Sequence, residues 1–206
     1  MDIIKDGVVA AKKRAVEIYD SLARQIRLPP IPHPFPTKVP PEDEGCVLVV
    51  PQVFQADFFS CGAIAGWTVL KAVYPKKGRA EHIAFYESCN PCPKNGTSTT
   101  RLVKALRAHD VRVSLRRKKA TFAEIKKAMD AGSPIIACID MPGTGCYHWV
   151  TIYGYRQVSK KNGGDKWVYI SNNGWPILGA IDDRVMPFER FKELQVDQWL
   201  VCTGKQ

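Results

Sequence analysis

Apolar residues recur every three or four positions at the start of the chain, at Ile4, Val8, Ala11, Ala15, Ile18, Leu22 and Ile26. That period predicts an amphipathic helix over residues 3–26. It stops at Leu28-Pro-Pro-Ile-Pro-His-Pro-Phe-Pro36, whose five prolines forbid a regular helix or a central strand. An extended, polyproline-like linker or strap is expected there. The pattern therefore divides the chain into a helix (1–27), a Pro-rich strap (28–45) and one larger module (46–206). Cys46-Val-Leu-Val-Val-Pro-Gln-Val53 reads as the module's first strand. From Cys61 to about Val73 the chain is apolar nearly all round, which predicts a buried helix stopped by Pro75-Lys-Lys-Gly78. Helical segments follow at 80–87 and at 99–109, the second capped by Ser98 or Thr99 with Leu102, Val103 and Leu106 inward. Thr121-Phe-Ala-Glu124 is a capping box opening a helix that ends near Gly132. Alternating or continuous apolar runs predict strands at 111–115, 134–140, 147–157 and 166–171, and a further strand or turn at 196–202. Ser159-Lys-Lys-Asn-Gly-Gly-Asp165 joins two of them as a hairpin. Helices first and an antiparallel sheet afterwards is the order of an α+β domain.

Composition narrows the class. The 206 residues are 45% hydrophobic, enough for one domain with a sizeable core and no need of a metal or disulfide. No apolar run approaches the roughly 20 residues that span a bilayer, and the N-terminus has too short an apolar stretch for a secretory signal. Seven cysteines, an odd and sparse set, do not make a disulfide framework. A cytoplasmic location is expected. Cys46, Cys138 and Cys202 lie in apolar runs and read as core thiols. The formal net charge is +10, and all of the excess lies between Lys76 and Lys127, where 14 basic residues face 4 acidic ones. Arg116-Arg117-Lys118-Lys119 is its densest run and a candidate site for an anionic partner. An acidic protein fits better than nucleic acid or an anionic membrane surface, since no aromatic interleaving or nucleic-acid motif accompanies the run. The bland alternative is a solvated Lys-rich face.

Candidate chemistry centres on Gln55-Ala-Asp-Phe-Phe-Ser-Cys61-Gly62, where a polar loop meets the buried helix. A cysteine in a helix's first turn faces unpaired backbone N–H groups and the positive end of the helix dipole. That environment favours thiolate, the nucleophilic form. Gln55 can fold back and offer its amide to an oxygen reacting at the sulfur. His148 heads a strand and could serve as the base, and Asn172, which closes the next strand, could orient it. A lone buried cysteine is more often plain core, and Asn172-Asn173-Gly is also turn chemistry. The combination carries the reading, not any single member.

Gln-x5-Cys-Gly, a helix, a strand opening with His and a strand closing on Asn together resemble the papain-like cysteine peptidases. Within them the chain is most similar to the compact bacterial branch that cuts double-glycine leader peptides. The Gln-x5-Cys-Gly element is also similar to that of phytochelatin synthases. The resemblance runs from about Pro51 to about Leu200. It implies Cys61 as nucleophile, Gln55 in the oxyanion hole, His148 as general base and Asn172 as orienter, with no cofactor and a protein or peptide substrate. The compact branch usually has Asp where this chain has Asn172, papain itself has Asn, and adjacent Asn173 could take the same place. Trp175 could shield the pair from water or simply fill core. Cys89-Asn-Pro-Cys92 has zinc-knuckle spacing but lacks the second pair of a closed site, so free thiols or a loop disulfide are expected and no metal. Three functions follow: a peptidase or isopeptidase, an acyltransferase or peptide ligase of the same fold, and a catalytically silent binding module using the basic face.

Overall fold

The computed structural model describes residues 43–51, 53, 55, 57, 59–141, 145–159, 164–171 and 185–204, all within one compact unit, Thr37–Gln206. The predicted N-terminal helix, the Pro-rich strap up to residue 42, Asn172, Asn173 and Trp175 lie outside the described residues, and the strap's last residues, Glu44 and Gly45, belong to β1. Five helices and seven strands are seen among them, in the order β1 (Glu44–Val47), α1 (Cys61–Val73), α2 (Arg79–Cys89), α3 (Thr99–Ala108), β2 (Val111–Arg116), α4 (Phe122–Asp130), β3 (Ile135–Met141), β4 (Cys146–Gln157), β5 (Lys166–Ser171), β6 (Val185–Pro187), α5 (Phe188–Leu194) and β7 (Gln195–Gly204). The fold is α+β, as the element order predicts. The expected strand at Cys46 is shorter than its apolar run and begins two residues earlier. The helix at α5 and the strand at β6 are additions that the sequence pattern did not announce.

All seven strands form one antiparallel sheet in the order β2-β7-β3-β4-β5-β6, with β1 pairing the far end of β4. β4 is twelve residues long, so β3 covers its first half and β1 its second on the same flank. Gly154 lies where β1 meets β4: a Cβ there would come 2.8 Å from the Cys46 carbonyl oxygen. Helices cover both faces. On one, α1, α2 and α3 pack through Val69, Leu70, Phe85, Leu102 and Leu106 onto Ile136, Cys138, Trp149 and Leu200. On the other, α4 and α5 pack through Ile125, Met129, Phe188 and Phe191 onto Ala137, Ile139, Val150 and Ile152. β3 is therefore buried on both sides, which is why Ile135–Ile139 is a continuous apolar run and not an alternating one.

Local signals explain the helix ends. Thr121 and Glu124 make the reciprocal capping box at α4, with the Thr121 hydroxyl accepting from Glu124 N–H and the Glu124 carboxylate accepting from Thr121 N–H. The Ser98 hydroxyl accepts from Arg101 N–H at the start of α3. Every residue of α1 from Cys61 to Leu70 is buried, and Gly66 lets it approach α2 and α3, since a Cβ there would lie 2.7 Å from the Phe85 ring. α1 is thus fixed against the sheet and its neighbours before any chemistry is considered. Among the described residues no helix is long and apolar enough to cross a membrane.

Candidate active site at the start of helix α1

Cys61 is the first residue of α1 and 6% exposed. Three backbone N–H groups lie close enough to its sulfur to pull the thiol's pKa down: Trp149 on β4, Gly62, and its own. Two come from the unpaired first turn of the helix, as the sequence predicts. The third comes from the sheet. Backbone N–H groups lie near the plane of a sheet, so a sulfur that takes up the Trp149 N–H sits at the flank of β4. β3 occupies the other flank through Met141↔Cys146. On the flank away from β3, β5 ends its described run at Ser171, opposite Thr151. Asn172 is the next residue in the chain and lies outside the described set.

His148 is 7% exposed, in β4, one peptide bond before the Trp149 N–H. That nitrogen belongs to the peptide bond joining His148 to Trp149, so His148 precedes the residue whose N–H meets the sulfur. Strand alternation gives Trp149 to the α1 side and His148 to the side of Val150.

Gly62 has a steric role. A Cβ there would be 2.8 Å from Thr97 Cβ and 2.9 Å from the Trp149 indole. The indole Nε1 donates to the Thr97 carbonyl at 3.1 Å. Glycine after the cysteine therefore lets Trp149 close against the helix start, and Trp149 in turn holds the N–H beside the sulfur.

Gln55 is buried, and its Nε2 donates to the Asp57 carbonyl oxygen. An amide nitrogen has two hydrogens, so one stays available for a second acceptor. Asp57 was not singled out from the sequence, yet it organises the loop. Its carboxylate accepts from Phe59 N–H at 2.8 Å, from Ser60 N–H at 2.6 Å and from the Tyr86 hydroxyl at 3.1 Å. An aspartate two and three residues ahead of paired N–H groups is an Asx-turn signature, and that signal was legible in Asp57-Phe-Phe-Ser60.

The electrostatics at the sulfur pull in both directions. Burial pushes the Cys61 thiol up from its ordinary value, the Trp149, Gly62 and Cys61 N–H groups pull it down, and the Asp57 carboxylate adds to the rise. Desolvation is the largest of these influences and outweighs the N–H groups of the helix start. Cys138 lies near it, with a thiol pushed up to about 12 mainly by burial.

The remaining candidates stand apart from this cluster. None of the seven cysteines is in a disulfide. Cys89 is buried at the end of α2, its thiol pushed up to about 12, while partly exposed Cys92 is lowered by the Lys94 and Asn95 N–H groups. Among the described residues no group of three or more His, Cys, Asp or Glu side chains is placed to hold a metal ion. In the basic run, Lys118 pairs with Glu124 at 2.6 Å and Lys119 donates to the Lys192 carbonyl at 3.0 Å, closing the end of α5. Exposed Arg116 and Arg117 make no ion pair among the described residues.

No family model and no curated protein matches the chain. Solved structures do. A double glycine motif protease from an AMS/PCAT transporter, solved in complex with its leader peptide, aligns with a TM-score of 0.51 at 18% identity over 78% of this chain and 95% of its own. The peptidase domain of Streptococcus ComA, a bifunctional ABC transporter of a quorum-sensing pathway, aligns with a TM-score of 0.55 at 16% identity, covering 77% and 99%. A protein from Bacillus anthracis assigned as a C39-like peptidase aligns with a TM-score of 0.58 at 12% identity, covering 79% and 99%. What is shared at these identities is the fold: this chain has the papain-like architecture of double-glycine leader peptidase domains, with Cys61 on the buried helix and His148 on the antiparallel sheet.

Proposed function

We propose that the protein is a cysteine peptidase that cuts a peptide or isopeptide bond through a thioester, with Cys61 as nucleophile and His148 as general base. One observation carries the reading: the Cys61 sulfur lies at the first turn of α1 beside the Trp149 N–H, one peptide bond from His148. His148 takes the thiol proton as the S–C bond forms, and the carbonyl π electrons move to oxygen. The Cys61 N–H and the second Nε2 hydrogen of Gln55 receive that oxyanion; losing one such donor typically costs about 10²–10³ in turnover. Collapse breaks the C–N bond, the imidazolium gives its proton to the leaving amine, and water resolves the thioester with His148 again as base. Asn172 would hold the imidazole by its other nitrogen, as the resemblance implies.

The structural neighbour bound to its leader peptide supports a peptide as substrate. Any acidic partner would dock on Arg116 and Arg117, since Lys118 and Lys119 are engaged within the chain. Such binding weakens steeply between low salt and about 0.5 M salt.

A peptidyl acyloxymethyl ketone tests the reading, because it needs a nucleophile able to attack a bound carbonyl. Mass spectrometry should place the adduct on Cys61 in the intact protein, and His148→Ala should lose it. An adduct confined to Cys92 or Cys146 would remove the assignment.

A further inference from the structure

Cross-strand register extends the site floor past the nucleophile. On the α1 side of the β3–β4 pair, Ile136 faces Thr151, Cys138 faces Trp149 and Asp140 faces Tyr147. Directly opposite residues of an antiparallel pair share a face, with Cβ atoms about 4.5–5.5 Å apart. The first two rungs lie under α1, where Thr151 Oγ1 donates to the Ala65 carbonyl and the Trp149 N–H meets the Cys61 sulfur. The third rung is about 7 Å further along the strand, two residues at the usual rise. α1 has ended by then, at Cys61, so nothing in that helix covers it.

The exposure follows. Asp140 is the exposed residue in an otherwise buried β3, and Tyr147 is 70% exposed. Tyr147 and Val49 are the two large exposed hydrophobic residues among those described. Within the described residues neither the Asp140 nor the Tyr147 side chain makes an ion pair, hydrogen bond or ring contact, so packing gives no account of them. A carboxylate and an aromatic ring side by side suit a long side chain with an apolar stem and a cationic head. The stem lies on the ring, and the head sits over its face or against the carboxylate.

We propose that Asp140 and Tyr147 form a subsite for a lysine or arginine side chain of the substrate, on the leaving-group side of the cut bond. The side follows from the chemistry. His148 hands its proton to the departing amine, and Tyr147 lies on the Trp149 face one rung beyond it, past the start of α1. The inference rests on the Cys61–His148 reading for its position and on the exposed rung for its selectivity.

The test uses the full chain and a proteome-derived peptide mixture, with cut sites read by mass spectrometry. Lysine and arginine together should be enriched about tenfold at the first residue after the cut bond, from one exposed ion pair and one cation–π contact. Asp140→Lys should reverse the preference toward aspartate and glutamate, and Tyr147→Ala should raise KM for lysine-bearing peptides more than it lowers kcat. A profile flat at that position, or one that Asp140→Lys leaves unchanged, would overturn the subsite. A second measurement removes the dependence on cleavage. On the Cys61→Ala chain, fluorescein-labelled Ala/Gly decamers carrying one lysine or one glutamate are titrated by anisotropy. Tighter binding of the lysine peptide, lost when Asp140→Lys is added, supports the subsite; equal binding of the two overturns it. If the wild type cuts nothing while that binding gap persists, the peptidase reading fails and the subsite stands.

Discussion

At the scale of single residues, the site turns on competition between burial and a few N–H groups. Cys61 is raised by desolvation and Cys92 is lowered by the N–H groups of Lys94 and Asn95, while Cys146 is exposed. A plain alkylating agent needs thiolate and access, not a bound carbonyl. Iodoacetamide at pH 7 should therefore modify Cys92 and Cys146 before Cys61, and the Cys61 rate should still be climbing above pH 9, because a raised thiol gains thiolate only there. Peptide mapping over a pH series reads both; a Cys61 rate already level at pH 7 would mean a preformed thiolate. Gly62 gives a second prediction at this scale. In Gly62→Ala the new methyl meets Thr97 and the Trp149 indole at under 3 Å. Overpacking costs about 1–3 kcal/mol in urea unfolding, and the displaced Trp149 carries its N–H away from the sulfur, so ketone labelling should drop further than stability does. The sequence showed that a glycine follows the cysteine. It could not show why, because Thr97 and Trp149 are brought there by folding, from separate parts of the chain.

At the scale of elements, the α4 cap couples helix stability to pH. Lys118 and the Thr121 N–H hold the Glu124 carboxyl down to about 2. A depressed carboxylate stabilises the fold above its unfolded pKa, near 4.3, and loses that contribution as pH falls toward 2. Glu124→Gln should thus be destabilising at pH 6, with the gap to wild type closing by pH 2.5; Thr121→Ala should cost about 1 kcal/mol at pH 6. Chemical denaturation at the two pH values decides, and a Glu124→Gln gap that grows on acidification would contradict the assigned cause. The same cap was readable directly from Thr121-Phe-Ala-Glu124, because capping is local. α5 was not. Phe188, Phe191 and Leu194 mark one face over only seven residues, and the preceding proline and short β6 break any longer period. Elements this short are decided by the sheet they pack on, not by their own pattern.

At the scale of the whole molecule, the strand order is the feature that no local pattern contains. β7 is last in sequence but lies between β2 and β3, and among the described residues β2 pairs with β7 alone. Its side chains serve both cores: Leu200 and Cys202 pack under α1–α3, while Trp199 packs with α4 and α5. The predicted strand at 196–202 could be placed in the chain but not in the sheet, since a bulge opposite Ala137 and Ile139 breaks its alternation and its partners are remote in sequence. One consequence is global. Without residues 195–206, β2 has no neighbour and β3 loses a flank, so α3 and β2 have nothing to join to the rest of the sheet. Such a truncated chain should show no cooperative urea transition. Leu200→Ala, at a fully buried position, should cost about 2–5 kcal/mol, whereas Asp197→Ala, at an exposed position of the same strand, should stay within about 0.5 kcal/mol. The site lies in the same balance, because Ile136 and Cys138 of β3 form the floor beneath α1. If the last strand holds that floor, Leu200→Ala should also raise the exchange rate of the Trp149 amide that faces the Cys61 sulfur. An unaltered Trp149 exchange rate in a destabilised Leu200→Ala protein would show that the site is held by α1 and β4 alone.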